Sequence, residues 1–515
     1  MADPPRPSVP PSPDRRKLLV ALGYAAANAV AVSRLGSGSS GGTVSARPSD
    51  RDEPVVAPTL PGAPAPRPPN HVYDLVLSGG RVIDPESGFD RRANVAIDGF
   101  AIGAISEGPL KAKRTIEANG KVVAPGFIDL LSYEPEDVGA RFKIGDGVTT
   151  NLGMHGINAD ATAFFTRFTG NCVVNFGGAF DNPWVRSTHF GLGIDQEASE
   201  VQIAQMGDML RQQLADGWIG IDFEPEYAPG TTVAEMTALA RIAKEHEVPC
   251  FFHGRQSAVG TNRETLEEII GVAKETGAAV HVEHIISTGG TFDMANSLAM
   301  LEKARAEDYD ITACMYPYDF WATYLASPRF NSGWQERFRI SYQDLQVAGT
   351  TERLNESTFS TAQAENKLAA AFAIPEADVR SCLRSPFVMI GSDAIYTDGN
   401  NHPRSTGCFA RTLGRYARDE AVLSLPDALA KMTILPAQRL EARVPALRKK
   451  GRMQRGADAD ITVFDPATVI DRSTIENPAQ ASEGIEYVFI LGQMIKSPLG
   501  VDDNIRIGQP IMFNR

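Results

Sequence analysis

Residues 233–286 read VAEMTALARIAKEHEVPCFFHGRQSAVGTNRETLEEIIGVAKETGAAVHVEHII, and this stretch decides the fold. Two runs within it, 233–247 and 265–277, carry apolar residues three to four apart, the spacing of one helix face. After each comes a short apolar run, VPCFFH at 248–253 and AVHVEHI at 279–285, of the kind that forms a buried strand. Helix and strand alternating in this way imply parallel strands joined by crossovers.

Working outward, the same alternation yields eight strand candidates: 122–131, 147–154, 172–180, 218–223, 248–253, 279–285, 311–316 and 386–393. Eight parallel strands close a (β/α)8 barrel of the TIM type, an α/β fold that accommodates insertions within one unit. One connection, 319–385, holds far more than a single helix and is expected to form a lid or substrate loop. Both flanks of the barrel are β-rich. DLVLSGGRVIDPESG and ANVAIDGFAIGAI precede it, while GRMQRGADADITVFDP and EYVFILGQMI follow it. Residues 71–121 and 446–515 are therefore expected to build one small β-sandwich from both ends, enclosing a barrel at 122–445.

The first seventy residues differ from the rest. Arg15 and Arg16 precede a moderately apolar stretch, 17–33, and this combination at 1–33 fits a twin-arginine export signal. At about 15 residues its apolar run is shorter than the roughly 20 that span a bilayer, so no stable membrane insertion is expected after removal of the signal. An exported location follows, or a cytoplasmic one if the arginine pair is fortuitous. Residues 34–70, with GSGSSGG and PTLPGAPAPRPP, read as a disordered spacer.

A formal net charge of -13 argues against nucleic acid or an anionic membrane surface as partner. The five cysteines are scattered without CxxC spacing, so neither a disulfide framework nor a thiolate zinc site is expected.

Active sites in such barrels sit where the strands end. There His155 follows strand two, His253 ends strand five, His284 ends strand six and Asp393 ends strand eight. Three imidazoles match the ligand chemistry of zinc, with a position left for water, and the aspartate is placed to accept that water's proton. His71, His189 and His246 read as solvated, and His281 is expected to point away from His284 because an odd separation on a strand reverses the face. His402 either lines the pocket or shapes the turn before Pro403.

From about Tyr73 onward the chain resembles the N-acyl-D-amino-acid deacylases, the D-aminoacylase branch of the amidohydrolase superfamily. The resemblance is carried by KVVAPGFIDLLS, GVTTNLGMHG, IDFEPEYAPGTT, FFHGR, HVEH, YPY, GSDAIYTDGNNHPRSTGCFARTLGRY and GRMQRGADADITVFDP, in that order. It implies zinc and hydrolysis of an amide beside a D-configured centre. His253 and His284 match the family's histidine ligands, Asp393 its catalytic aspartate, and Arg404 a position associated with the substrate carboxylate. Tyr316 and Tyr318 of YPY are further candidates for orienting the substrate.

The chain departs from the family pattern in three places. The His-x-His that would bind a second metal is replaced by Leu131, Ser132 and Tyr133. The metal-bridging cysteine is replaced by His155, with one residue fewer in its loop. The polar segment after the second histidine ligand becomes Ile285–Ile286. Together these imply one zinc ion per chain on His155, His253 and His284, acting on a small N-acyl amino acid or similar amide. Two other readings stay open: a degenerate barrel that only binds a ligand or partner, and a metal enzyme acting on a cyclic amide, an ester or an elimination substrate.

Overall fold

A computed structural model describes residues 57–255, 262–396, 401–502 and 504–513. The expected export signal lies outside the described residues, as does most of the expected spacer. Among the described residues no helix is long and apolar enough to cross a membrane.

Eight parallel strands form the barrel. Phe127–Ser132 pairs with Val148–Gly153, which pairs with Asn175–Gly178. After Ala179 the third strand resumes at Phe180–Asp181 and leads through Ile221–Phe223, Cys250–Phe252, Val280–Val282 and Ile311–Met315 to Val388–Ile390. A single parallel bridge from Ser132 to Ala394 closes the ring. Every residue of these strands is buried, as strands covered on both faces must be, which is why they read as short continuous apolar runs. The helices Val233–Glu245 and Asn262–Thr276 stand where the three-to-four spacing predicts them.

Both ends of the folded chain meet in one nine-stranded sheet. Its longest member, Val72–Asp84, pairs along one edge first with Lys111–Glu117 and then with Val122–Pro125. The change of partner falls at a register break beside Gly79, whose φ of +73° suits glycine and few other residues. The far end adds Ile461–Phe464, Ile485–Ile490, Gln493–Ser497 and Gly500–Val501.

Three boundaries differ from the sequence reading. The run 122–131 is two strands: Val122–Pro125 belongs to the sandwich sheet, and the barrel begins at Phe127. Gly126 separates them, where a Cβ would meet the Thr149 side chain at 2.3 Å. The last residues leave the sandwich and close on the barrel, with Phe176 N–H donating to Gln509 O at 3.0 Å and Ile511 N–H to Phe176 O at 2.7 Å. The tail of the expected spacer packs rather than floats. Leu60 is 8% exposed within the sandwich core and its N–H donates to Arg455 O, because one leucine in a Pro-rich run suffices to anchor it.

The long connection contains a three-stranded antiparallel sheet, Trp321–Tyr324, Leu368–Ala371 and Leu345–Val347, with short helices around it. All five cysteines are buried and unpaired.

Candidate active site

The strand ends bring His155, His253, His284 and Asp393 to one barrel mouth, all 2% exposed or less. His155 Nε2–H donates to Asp393 Oδ1 at 2.8 Å, and His155 Nδ1 faces Glu283 Oε2 at 3.7 Å. His284 Nε2 lies 3.9 Å from both Glu283 Oε2 and Asp393 Oδ2. The rings of His253 and His284 meet edge to face with centroids 4.7 Å apart. His253 Nε2–H in turn donates to Glu226 Oε2 at 3.1 Å.

The ligand-capable atoms form two overlapping groups, His155 with His284 and Asp393, and His253 with Glu283 and His284, each within 4.8 Å. His284 belongs to both. Burial pushes all three imidazoles below their ordinary range, in His155 and His284 against the opposing pull of Asp393. They are therefore neutral at physiological pH, the form that binds a metal ion. A neutral, buried set of imidazoles with adjacent carboxylates fits the donor chemistry of zinc.

Asp393 is held from several sides. Burial pushes its carboxyl up, but Arg404, His284 and His155 outweigh burial and keep it below the usual carboxylate range. Arg404 Nη2 stands 2.6 Å from Asp393 Oδ2, and Arg404 Nε–H donates to the Asp393 carbonyl at 2.9 Å. The Asp393 backbone has φ +51°, uncommon for a residue other than glycine, and such conformations persist where surroundings impose them. Here Asp393 N–H donates to Leu131 O at 2.7 Å, and Ser392 N–H donates to Asp129 Oδ1 at 3.0 Å. Asp129 itself is buried in an ion pair with Lys143.

The end of strand one supplies backbone and a ring in place of imidazoles. His155 N–H donates to Ser132 O, and the Tyr133 ring stacks on His155 with centroids 4.8 Å apart and planes 26° from parallel.

A small, partly open cavity of about 10 Å³ lies in front of these groups. Its lining includes His253, His284, Asp393 and Arg404, together with Trp321 and Arg329 from the long connection. Arg329 was not legible in the sequence, since no motif marks it. It is 3% exposed, its Nη1 lies 3.9 Å from Glu226 Oε2, and its guanidinium covers the Trp321 ring at 4.2 Å. Glu283 was also missed. It lies within HVEH, beside His284, where the alternation argument was applied to His281 alone. The strand stops at Val282, so the residues beyond it no longer alternate.

The two tyrosines separate. Tyr316 lines the cavity with its ring 4.4 Å from the Arg404 guanidinium. Tyr318 does not line it: its hydroxyl donates to Asp471 Oδ2 at 3.1 Å and its ring lies under Arg411, so it packs where substrate contact was expected. His402 shapes the turn, accepting from Arg404 N–H on Nδ1 and donating from Nε2 to Phe320 O, both at 2.9 Å. His281 pairs with Thr312 Oγ1 at 2.6 Å, away from the site. His71 and His189 lie near Asp98 and Asp160 at the surface, and His246 ends a helix there.

Comparison with known proteins gives the family and agrees with the fold. A family model described as the amidohydrolase family matches residues 212–495. The chain is 32% identical over 461 residues to N-acyl-D-glutamate deacylase of Alcaligenes xylosoxydans xylosoxydans, covering 81% of this chain and 93% of that protein. A solved D-aminoacylase, described as having a binuclear metal centre with one-metal activation and second-metal attenuation, superposes with TM-score 0.75 at 25% identity. It covers 86% of this chain and 100% of its own. N-acyl-D-glutamate deacylase from Bordetella bronchiseptica, solved with zinc and a phosphonate inhibitor, gives TM-score 0.73 at 27% identity over the same shares. The chain is therefore a hydrolase of the amidohydrolase family, belonging to its D-aminoacylase branch.

Proposed function

We propose that this chain is a zinc-dependent deacylase of N-acyl-D-amino acids that works with one metal ion per chain. The observation that carries the reading is a set of three buried, neutral imidazoles at the barrel mouth, with His155 and His284 beside an ionised aspartate and His253 edge to face with His284. His155, His253 and His284 would hold the ion, which when bound polarises a scissile carbonyl and acidifies water. A single ion accords with the loss of imidazoles from strand one and with the one-metal activation described for the solved D-aminoacylase.

The chain's own groups then divide the work. Asp393, ionised at neutral pH, accepts the proton of the attacking water and returns it to the leaving amine. Arg404 keeps that carboxylate charged and oriented. Arg404 and Arg329 bring two guanidiniums to the cavity lining, donors that suit a substrate carboxylate, and the relatives named for N-acyl-D-glutamate point to an acidic side chain. Trp321 and Tyr316 restrict the cavity and exclude water from the reacting amide.

The test is metal analysis joined to a substrate panel. About one zinc per chain, lost in His253→Ala, with faster turnover of N-acetyl-D- than N-acetyl-L-amino acids, supports the reading. Asp393→Asn is expected to keep its zinc and lose turnover by about a thousandfold or more. Zinc binding without amide hydrolysis points instead to a cyclic-amide, ester or elimination substrate; no zinc under replete conditions sinks the metal reading altogether.

We also infer export through residues 1–33. Its support is the Arg15–Arg16 pair and the apolar run after it, and replacing both arginines with lysine in a reporter fusion should block export.

A further inference from the structure

Strands three and four end in more buried acid than amide chemistry requires. Asp222 lies within Ile221–Phe223 and Glu224 follows directly. Asp181 closes the neighbouring strand in parallel register with Asp222. The three carboxylates offer oxygens within 4.8 Å of one another. Their residues are 3%, 1% and 0% exposed for Asp181, Asp222 and Glu224 respectively.

Among the described residues neither oxygen of Asp222 receives a hydrogen bond, although the side chain is buried against Asp181 and Glu224. From outside the trio, Glu283 is wholly buried, has no hydrogen-bond donor on either oxygen among the described residues, and sits close enough for its charge to act on Asp222. Burial first, then Glu224, Asp181 and Glu283, push the Asp222 carboxyl well above its ordinary range, so the charges acting on it among the described residues are those of acids. Buried carboxylates are paired, hydrogen-bonded or bound to metal, and Asp222 is neither of the first two among the described residues.

We propose that Asp181, Asp222 and Glu224 form a site for one hard divalent cation of the magnesium, calcium or manganese type, beside the imidazole site and separate from it. An all-oxygen donor set selects such ions, whereas zinc favours the imidazoles next door. Because Asp181 and Asp222 come from different strands, the cation ties the third strand to the fourth. It also steadies the segment after strand four, which carries Glu226 against His253 and Tyr227 on the cavity wall. The proposal needs only the barrel and does not rest on the deacylase reading.

The experiment uses the full chain with its zinc content measured in every sample, and Mn2+ as the probe. Wild type is expected to bind one Mn2+ by electron paramagnetic resonance and to melt at higher temperature with Mn2+, Mg2+ or Ca2+. Asp222→Asn, which keeps shape and removes the charge, should weaken Mn2+ binding by about tenfold or more, while His253→Ala should retain it. If Asp222→Asn does not fold, Asp181→Asn, which keeps an acceptor oxygen for Trp184 N–H, is read the same way. Two results overturn the proposal. One is wild type that takes up none of the three ions at millimolar concentration. The other is Mn2+ lost in His253→Ala but kept in Asp222→Asn, which places the ion on the imidazoles. Loss of zinc alone, with Mn2+ retained, would count against the zinc reading and not against this site.

Discussion

Replacing Arg404 with methionine removes the cation beside Asp393 while keeping an apolar stem of similar reach. The pair is 2.6 Å apart and its side chains are 1% and 2% exposed, so neither charge has water to turn to. Arg404 is also the strongest influence opposing the burial of Asp393. Breaking a buried pair from one side costs about 3–5 kcal/mol. With roughly 450 described residues and an unfolding entropy near 2.1 cal/mol/K per residue, the whole unit has about 0.9 kcal/mol/K, so the melting temperature should fall by about 3–5 °C. The measurement is calorimetric unfolding of the metal-free protein at pH 7.5, so that no bound ion compensates for the lost charge. The pH dependence has a definite sign. A carboxyl held below its ordinary value contributes stability above its unfolded pKa and loses it as pH falls through the folded pKa. That contribution vanishes in the variant, so the deficit should narrow on acidification as Asp393 becomes protonated. A methionine variant melting within about 1 °C of wild type at pH 7.5 would refute the claim that Arg404 balances a buried charge.

Asp146 supplies a second pH test, because burial pushes its carboxyl up to about 7 although Phe409 N–H, Ala410 N–H and the Ser482 hydroxyl donate to it. A carboxyl raised in the folded state loses its stabilising contribution as pH rises through the folded pKa. The melting temperature of Asp146→Asn relative to wild type should therefore climb between pH 4.5 and 7.5, and a constant offset would show that Asp146 is ionised throughout. Tyr318→Phe removes only the bond to Asp471, about 0.5–1.5 kcal/mol of stability, and should leave KM unchanged within about twofold, whereas a large rise in KM would return Tyr318 to the substrate site. Leu60→Ala should cost about 2 kcal/mol at the lower end of the core range, read by urea unfolding; no loss would mean that residues 57–63 contribute nothing to the sandwich.

The eight strands and their order were legible because parallel strands are buried on both faces and announce themselves as apolar runs between amphipathic helices. So were the four groups at their ends, since His155, His253, His284 and Asp393 each directly follow such a run. The absence of imidazoles at Leu131, Ser132 and Tyr133 was likewise a matter of reading residues. What the chain alone left undecided depends on three-dimensional approach. Tyr316 and Tyr318 are equivalent in the motif YPY, yet one meets the cavity and the other meets Asp471, because the partners come from segments more than 80 residues away. Arg329 reaches the site only through the fold of a long connection without periodic signal. Asp181, Asp222, Glu224 and Glu283 look like ordinary acids in sequence, and only strand register buries them side by side. Local periodicity determined which residues lie on strands, and tertiary packing decided which buried charges meet, since charge–charge contact depends on distances that sequence spacing does not encode.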